Sequence, residues 1–283
     1  QFSADGGQTW SDPGLTPIPD PMAREPGNPL SYCESQCNYD NVIAINPFDP
    51  EDIILGGVGL YRTQDGGGNF ARVGENNNGP NNNQGQIHVD HHVIVHDRTA
   101  QGVVYGGNDG GVYRSTDGGT TWASIGGTLA TLQPNHVSLH PTDRNIFFAG
   151  NQDNGTTRRT GSNIWTEVEG GDGSDSAIDF NDPRNVYISF DSGVIAKSTD
   201  GGNSFGTDDI FKPMMDEPVS FVAPLVMDPS NSAVLYVGTN RLNRTTDGGA
   251  NWAPVSPVLT RSNDGSLTEI AIAPSNSEMI YTT

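Results

Sequence analysis

Four of the six histidines fall within nine residues, in the segment Ile87-His88-Val89-Asp90-His91-His92-Val93-Ile94-Val95-His96; the other two are His136 and His140. On an extended strand side chains alternate between faces, so His88, Asp90 and His92 are expected on one side. Two imidazoles and a carboxylate at that spacing can turn two nitrogens and an oxygen toward one divalent cation, or donate to and accept from a polar ligand. The competing reading is a polar wall whose hydrogen bonds are satisfied by the protein itself. Further carboxylates lie in turn-forming stretches: Gly107-Asn108-Asp109-Gly110-Gly111, Asn151-Gln152-Asp153-Asn154-Gly155, Gly170-Gly171-Asp172-Gly173-Ser174-Asp175 and Phe190-Asp191-Ser192-Gly193. Each alone is ordinary hairpin chemistry. Their recurrence marks a candidate ligand-binding set of His88, Asp90, His92, Asn108, Asp109, Asp153, Asp172 and Asp191, with His88, Asp90 and His92 as cation ligands. No catalytic residue is assigned, and a divalent cation is the one cofactor these residue types suggest.

What must position these groups is legible in composition. The 283 residues carry 36 Gly and 19 Pro, and the acidic excess is 25 Asp against 9 Glu. Asp, Gly and Pro favour turns, whereas Glu and Lys favour helix faces, so the chain reads as turn-rich β structure. A net charge of −20 without a basic run argues against nucleic acid and anionic membrane surfaces as partners. No apolar window is long enough for a transmembrane helix. Cys33 and Cys37, in Ser-Tyr-Cys-Glu-Ser-Gln-Cys-Asn-Tyr-Asp, are too few for a closed zinc site, and a short-loop disulfide in an oxidising compartment is expected.

Self-similarity dominates the chain. Five octets share the pattern [ST]-x-D-G-G-x-x-[WF]: Ser3 to Trp10, Thr63 to Phe70, Ser115 to Trp122, Ser198 to Phe205 and Thr245 to Trp252. Their aspartates Asp5, Asp65, Asp117, Asp200 and Asp247 are spaced by 60, 52, 83 and 47 residues, and the longest gap holds a decayed unit ending at Trp165. A period of about 48 residues in an all-β chain indicates propeller blades. Each octet is the turn between a third and a fourth strand. Its glycines supply positive φ, its Asp and Ser/Thr accept from the turn backbone, and its aromatic (Trp10, Phe70, Trp122, Phe205 or Trp252) is expected to pack between neighbouring sheets. These aspartates are read as structural.

The expected fold is therefore an all-β propeller of four-stranded antiparallel blades, with six or seven blades. About five are complete, near 42–75, 88–125, 135–168, 175–205 and 220–255, and two are partial. Residues 1–283 are read as one propeller domain with surface loop insertions at 11–41 and 74–87. A first residue inside a repeat and a last residue inside a strand suggest a piece of a longer precursor.

The octets resemble the Asp-box, or bacterial neuraminidase repeat, found in sialidases, xyloglucanase-type glycoside hydrolases, the sortilin/Vps10 ectodomain and many secreted bacterial propellers. The resemblance covers nearly the whole chain and implies a secreted, extracellular or cell-surface protein. It implies no single activity, because enzymes and binding scaffolds share the repeat. A sialidase needs an arginine cluster, and here the arginines are scattered with no Arg-Ile-Pro motif. A xyloglucanase-type hydrolase needs two opposed carboxylates, for which Asp90, Asp109, Asp153 and Asp172 are available, and a second propeller. A sortilin-like peptide tunnel comes with a cysteine-rich module that this chain lacks. The reading favoured here is a binding or structural module for a glycan or an extracellular protein, acting through the face that carries the His-x-Asp-x-His segment. Its alternative is a glycoside hydrolase using paired carboxylates on that face.

Overall fold

The computed structural model of the chain describes all residues except 1, 2, 4, 6, 7, 11–31, 34, 35, 37, 75–85, 128, 130, 131, 192, 207, 208, 215, 216 and 262–264. Most of both expected insertions, and Cys37, therefore lie outside the described residues. Among the described residues there is no helix; the chain is all-β, built of antiparallel sheets of the propeller-blade type. They group into two compact units, Gln1–Thr131 and Leu132–Thr283.

The first unit holds two four-stranded sheets, each in sequence order. One is β1 (Val42–Asn46), β2 (Asp49–Gly56), β3 (Leu60–Thr63) and β4 (Ala71–Val73). The other is β5 (His91–His96), β6 (Val104–Asn108), β7 (Gly111–Ser115) and β8 (Ala123–Ser124). Ile54 and Leu60 of the first sheet pack against Ile94, Val104 and Trp122 of the second, all buried. Each such side chain taken out of water stabilises the pair by about 1.5–3 kcal/mol.

The second unit begins with β9 (Gln133–Leu139), β10 (Ile146–Gln152), β11 (Thr156–Thr160) and β12 (Trp165–Glu169). A three-stranded sheet follows: β13 (Gly173–Ile178), β14 (Val186–Phe190) and β15 (Ile195–Ser198). Its fourth strand shrinks to a single bridge between Ile195 and Phe211. Then come β16 (Leu225–Asp228), β17 (Asn231–Gly238), β18 (Leu242–Thr245) and β19 (Trp252–Pro254), and a two-stranded sheet of β20 (Ile270–Ile272) and β21 (Ile280–Thr282). Strand β14 shows why the sequence runs apolar without alternation. Val186 and Ile188 pack with Phe148 on one side, while Tyr187 packs with Leu235 and Val237 on the other. A strand covered on both faces buries both phases of its period of two.

The octet turns work by one geometry. In the turn after β7, Asp117 Oδ1 accepts from the backbone N–H groups of Thr120 (3.0 Å) and Thr121 (2.9 Å), and Oδ2 accepts from the Thr121 hydroxyl (2.6 Å). Ser115, 1% exposed, donates to Asp117 (2.8 Å) and accepts from Gly119 N–H (2.8 Å). Asp65, Asp200 and Asp247 repeat this pattern, and Asp5 keeps its Ser3 and Thr9 contacts. Hydrogen bonds from the side chains of Thr9, Thr63 and Asn251, joined by others of the same turns, hold the carboxyls of Asp5, Asp65 and Asp247 down to about 2.

The second glycine of three of these turns, Gly119, Gly202 and Gly249, also serves the interface. Gly202 has φ +74°, and a Cβ there would lie 2.4 Å from Phe148 of the preceding sheet. Trp122 is 3% exposed and donates to Gly119 O (2.9 Å), while Trp252 meets the Phe211 ring at a tilt, 5.1 Å between centres, and Phe205 packs against the Phe148 cluster. Phe70 is half-buried, and Trp10 is 62% exposed.

Basic side chains add a cross-sheet tie. Arg158 of β11 donates to Gly201 O and Asn203 Oδ1, both at 2.8 Å, in the turn of the next sheet. Lys197 of β15 donates to Gly248 O (2.8 Å), and Arg62 of β3, ion-paired to Asp52, reaches Thr120 Oγ1 at 3.5 Å.

Ser115→Ala leaves the Gly119 N–H without its acceptor and is expected to destabilise the fold by about 1–3 kcal/mol in thermal or urea unfolding. Arg158→Met removes two inter-sheet hydrogen bonds and should lower stability by about 1 kcal/mol in the same assay.

Candidate functional site

Chemistry-bearing side chains of the first unit meet where the segment before β5 lies against the β2–β3 turn. Asp90 N–H donates to Val58 O (3.3 Å) and His91 N–H to Gly57 O (2.9 Å). The strand starts only at His91, Asp90 takes φ +61°, and the β5–β6 pairing is bulged between His91 and Val93. A left-handed residue followed by a bulge breaks the period of two. The expectation that His88, Asp90 and His92 share one strand face is thereby corrected.

His92 instead turns to the β6–β7 turn, where its Nε2 meets Asp109 Oδ1 at 2.5 Å. Tyr39 donates to the same carboxylate, at 3.0 Å to Oδ2, and its ring meets the His92 ring edge-on at 4.8 Å. Asn108 donates to His88 O (2.8 Å) and accepts from Gly110 N–H (3.0 Å). The His88 ring rests on Gly110, where a Cβ would come within 2.4 Å of its own Cβ.

Tyr39 and Asp40 were not among the residues expected here. Both lie in the cysteine-bearing segment, whose only sequence signal was its pair of cysteines. Cys33 is 1% exposed and disulfide-bonded. Gly59 N–H donates to Tyr32 O, and Gly57 lies so close to Tyr32 O that a Cβ would stand 2.5 Å away. The turn is closed by Gln36 N–H to Cys33 O (2.8 Å) and Asp40 N–H to Gln36 O (3.0 Å). Asp40 is fully buried. Burial pushes its pKa up, against the opposing influence of hydrogen bonds from its own backbone N–H and from the Asp90 side chain, and of His92.

His91, 1% exposed, is buried as well, and its Nδ1 has no partner. Burial pushes its pKa down to about 3, helped by His88 and His92 and opposed by Asp109, so it is neutral across the physiological range. As to a cation, an oxygen of Asp90 and one of Asp109 lie within 4.8 Å of each other. Among the described residues, His88, Asp90 and His92 do not bring three ligand atoms together at that spacing, and the expected cation triad is corrected accordingly. His88 Nδ1 faces Val89 O (3.1 Å), and His92 Nε2 is engaged by Asp109.

Asp153, Asp172 and Asp191 belong to the second unit. Asp153 has φ +60°, and its N–H donates to Asp172 Oδ1 (2.8 Å); Asp191 N–H donates to Asp172 O (3.2 Å). Asp172 thus joins two adjacent turns. Nearby Asp175 is buried, accepts from Leu225 N–H (3.2 Å) and stands 3.7 Å from His136 Nδ1. Burial pushes its pKa up and His136 opposes this.

Among solved structures, the chain is similar to an ancestral GH74 enzyme (15% identity, TM-score 0.38, 83% of this chain and 33% of that one). It is similar to the GH74 xyloglucanase of Xanthomonas campestris (19% identity, TM-score 0.34, 75% and 37%). It is also similar to YCF48 from Cyanidioschyzon merolae (13% identity, TM-score 0.36, 84% and 91%). The chain spans 33% and 37% of the length of the two GH74 enzymes. No protein-family model and no curated protein matches it.

The buried neutral His91 sets a pH dependence. Between an unfolded pKa near 6.5 and the folded value of about 3, the unfolded chain binds a proton that the folded chain does not. His91 therefore costs increasing stability as pH falls through that window. Relative to His91→Gln, wild type should lose more melting temperature between about pH 7 and about pH 4.5.

Proposed function

We propose that this chain is a binding module, secreted or displayed at the cell surface, that engages a glycan or an extracellular protein through the surface around Tyr39, His92 and Asp109. The observation that carries the reading is the His92–Asp109–Tyr39 contact, assembled from three separate chain segments and left partly open to solvent. The Tyr39 residue is 55% exposed, and the His92 side chain 35%. An aromatic ring beside an oriented imidazole and carboxylate offers both a stacking face and fixed hydrogen-bonding groups, the combination that polar ligands use. The disulfide at Cys33 is in keeping with an oxidising compartment.

Hydrolysis is the weaker reading on geometry. An inverting glycosidase separates its carboxyl groups by about 6.5–9.5 Å to admit a water and a retaining one by about 5–5.5 Å, and in both the carboxyl groups must be available to the substrate. Asp90 and Asp109 bring oxygens within 4.8 Å, and Asp109 already accepts from Tyr39 and pairs with His92.

A glycan array probed with wild type and with Asp109→Asn and Tyr39→Ala tests this. The expected result is a bound glycan class whose signal falls at least tenfold in both variants, with melting temperatures held near wild type. Glycan binding that survives both substitutions would remove the proposed surface from consideration.

A further inference from the structure

The turns that join the first strand of a sheet to its second are capped by a side chain at a fixed place. In the β1–β2 turn Asn46 Oδ1 accepts from Phe48 N–H (3.0 Å). In the β5–β6 turn Asp97 Oδ1 accepts from Thr99 N–H (2.7 Å) and Ala100 N–H (3.0 Å). In the β13–β14 turn Asp179 Oδ1 accepts from Asn181 N–H (2.8 Å) and Asp182 N–H (3.1 Å), and in the β16–β17 turn Asp228 Oδ1 accepts from Ser230 N–H (2.7 Å). A short side-chain oxygen that takes up the N–H groups just ahead of it is what Asn and Asp supply at turns.

The β9–β10 turn has a histidine in that place. His140 Nδ1 accepts from Thr142 N–H (3.3 Å) and Asp143 N–H (3.0 Å). The backbone closes as in the Asp turns: His140 N–H donates to Ile146 O (3.1 Å), as Asp97 N–H does to Val103 O (2.9 Å) and Asp179 N–H to Asn185 O (3.0 Å). Two N–H donors at Nδ1 need its lone pair, so the proton of the neutral ring sits on Nε2. A carboxylate cap keeps its lone pairs in mild acid, and at Asp97 the hydrogen bonds from Thr99 hold the carboxyl below its usual range. An imidazole does not. A second ring proton goes to Nδ1 and sets one N–H against two others.

We propose that His140 makes the β9–β10 turn acid-sensitive, closed while the ring is neutral and opened when Nδ1 takes a proton. The charged groups of the turn are Asp143, whose carboxylate accepts from Asn145 N–H (2.9 Å), and Arg144. Arg159 of β11 donates to Asn145 O (3.2 Å). Strand β9 meets β13 through Ser138 and Ser176 (2.6 Å), and the charged groups that follow on that side are Asp179, committed to its own cap, and Asp182, ion-paired to Arg184 (2.7 Å). The same strand holds β13 through Asn135 to Gly173 O (2.9 Å) and through the His136–Asp175 contact (3.7 Å), so opening of the turn reaches the hold between two sheets. The unfolded chain takes the proton freely, whereas the folded chain gives up two hydrogen bonds to take it. Stability therefore falls as pH drops through the histidine range. This device belongs to the second unit and does not involve Tyr39, His92 or Asp109.

Two readouts on the full chain test this. In ring-nitrogen NMR at about pH 7.5, the His140 proton is expected on Nε2 with Nδ1 bare. In thermal unfolding at about pH 7.5 and about pH 5, wild type is expected to lose at least about 3 °C more than His140→Asp or His140→Asn, which supply the caps of the sister turns. His91 is common to all three chains, so its own pH dependence cancels. A proton on Nδ1 at about pH 7.5, or an equal loss in wild type and a folded variant, overturns the proposal. Should neither variant fold, the amide shifts of Thr142 and Asp143 in wild type decide: they are expected to move with the ring's titration, and shifts that stay fixed through it overturn the proposal as well.

Discussion

A carboxylate bonded to the backbone of its own turn is the contact on which the structure is built. In the octets from Thr63, Ser115, Ser198 and Thr245 the chain must reverse between its third and fourth strands, and consecutive glycines accept the left-handed conformation that this demands. The reversal leaves N–H groups pointing inward. The Asp and the Ser or Thr two residues before it satisfy them, so the turn closes without help from the rest of the fold. The same turn then carries the sheet interface. Its second glycine admits a side chain of the preceding sheet, as Phe148 at Gly202, and its aromatic packs into the shared core, as Trp122 does. Arg158 and Lys197 reach across from the preceding sheet to carbonyls exposed by the bend. Local turn and long-range packing are thus one device, repeated.

The site in the first unit uses the rigidity that this device supplies. Asp90 is held left-handed between two sheets, Asp40 is buried, and His91 is buried neutral with an unpaired Nδ1. Each arrangement opposes stability, through backbone strain at Asp90, the burial of a carboxyl at Asp40 and the unpaired buried nitrogen of His91. They persist together because the disulfide-bonded segment is packed against Gly57 and the segment before β5 is tied to the β2–β3 turn. Groups kept in unfavourable surroundings by a stiff frame are the usual mark of a binding surface.

The two units treat similar turn sequences differently. In the first, Asp109 faces a histidine and a tyrosine at a solvent-accessible position. In the second, Asp172 accepts the N–H of Asp153 and so serves the turn, leaving the His136–Asp175 contact as the ionisable pair of that region. Asn-Asp-Gly chemistry at a turn therefore does not by itself say whether a carboxylate faces ligand or backbone. That depends on what the neighbouring segment brings.

The repeat, its four-stranded unit and the structural use of Asp65, Asp117, Asp200 and Asp247 could be read from the amino acids alone. They depend on contacts within about eight residues, where residue type and spacing are the physics: glycine for positive φ, aspartate for turn N–H groups, an aromatic three positions on. The pairing of His92 with Asp109 was within reach of the same reasoning, since strand register places β5 beside the β6–β7 turn. What only the tertiary structure decided was the left-handed twist at Asp90, the bulge that parts His92 from His88, and the arrival of Tyr39 and Asp40 from 70 and 50 residues away. Asp tolerates both hands of backbone, and a disulfide-bonded segment can pack in many places. The choice among them is made by which arrangement lets two sheets close, and that information is spread over the whole unit rather than written at the residues concerned.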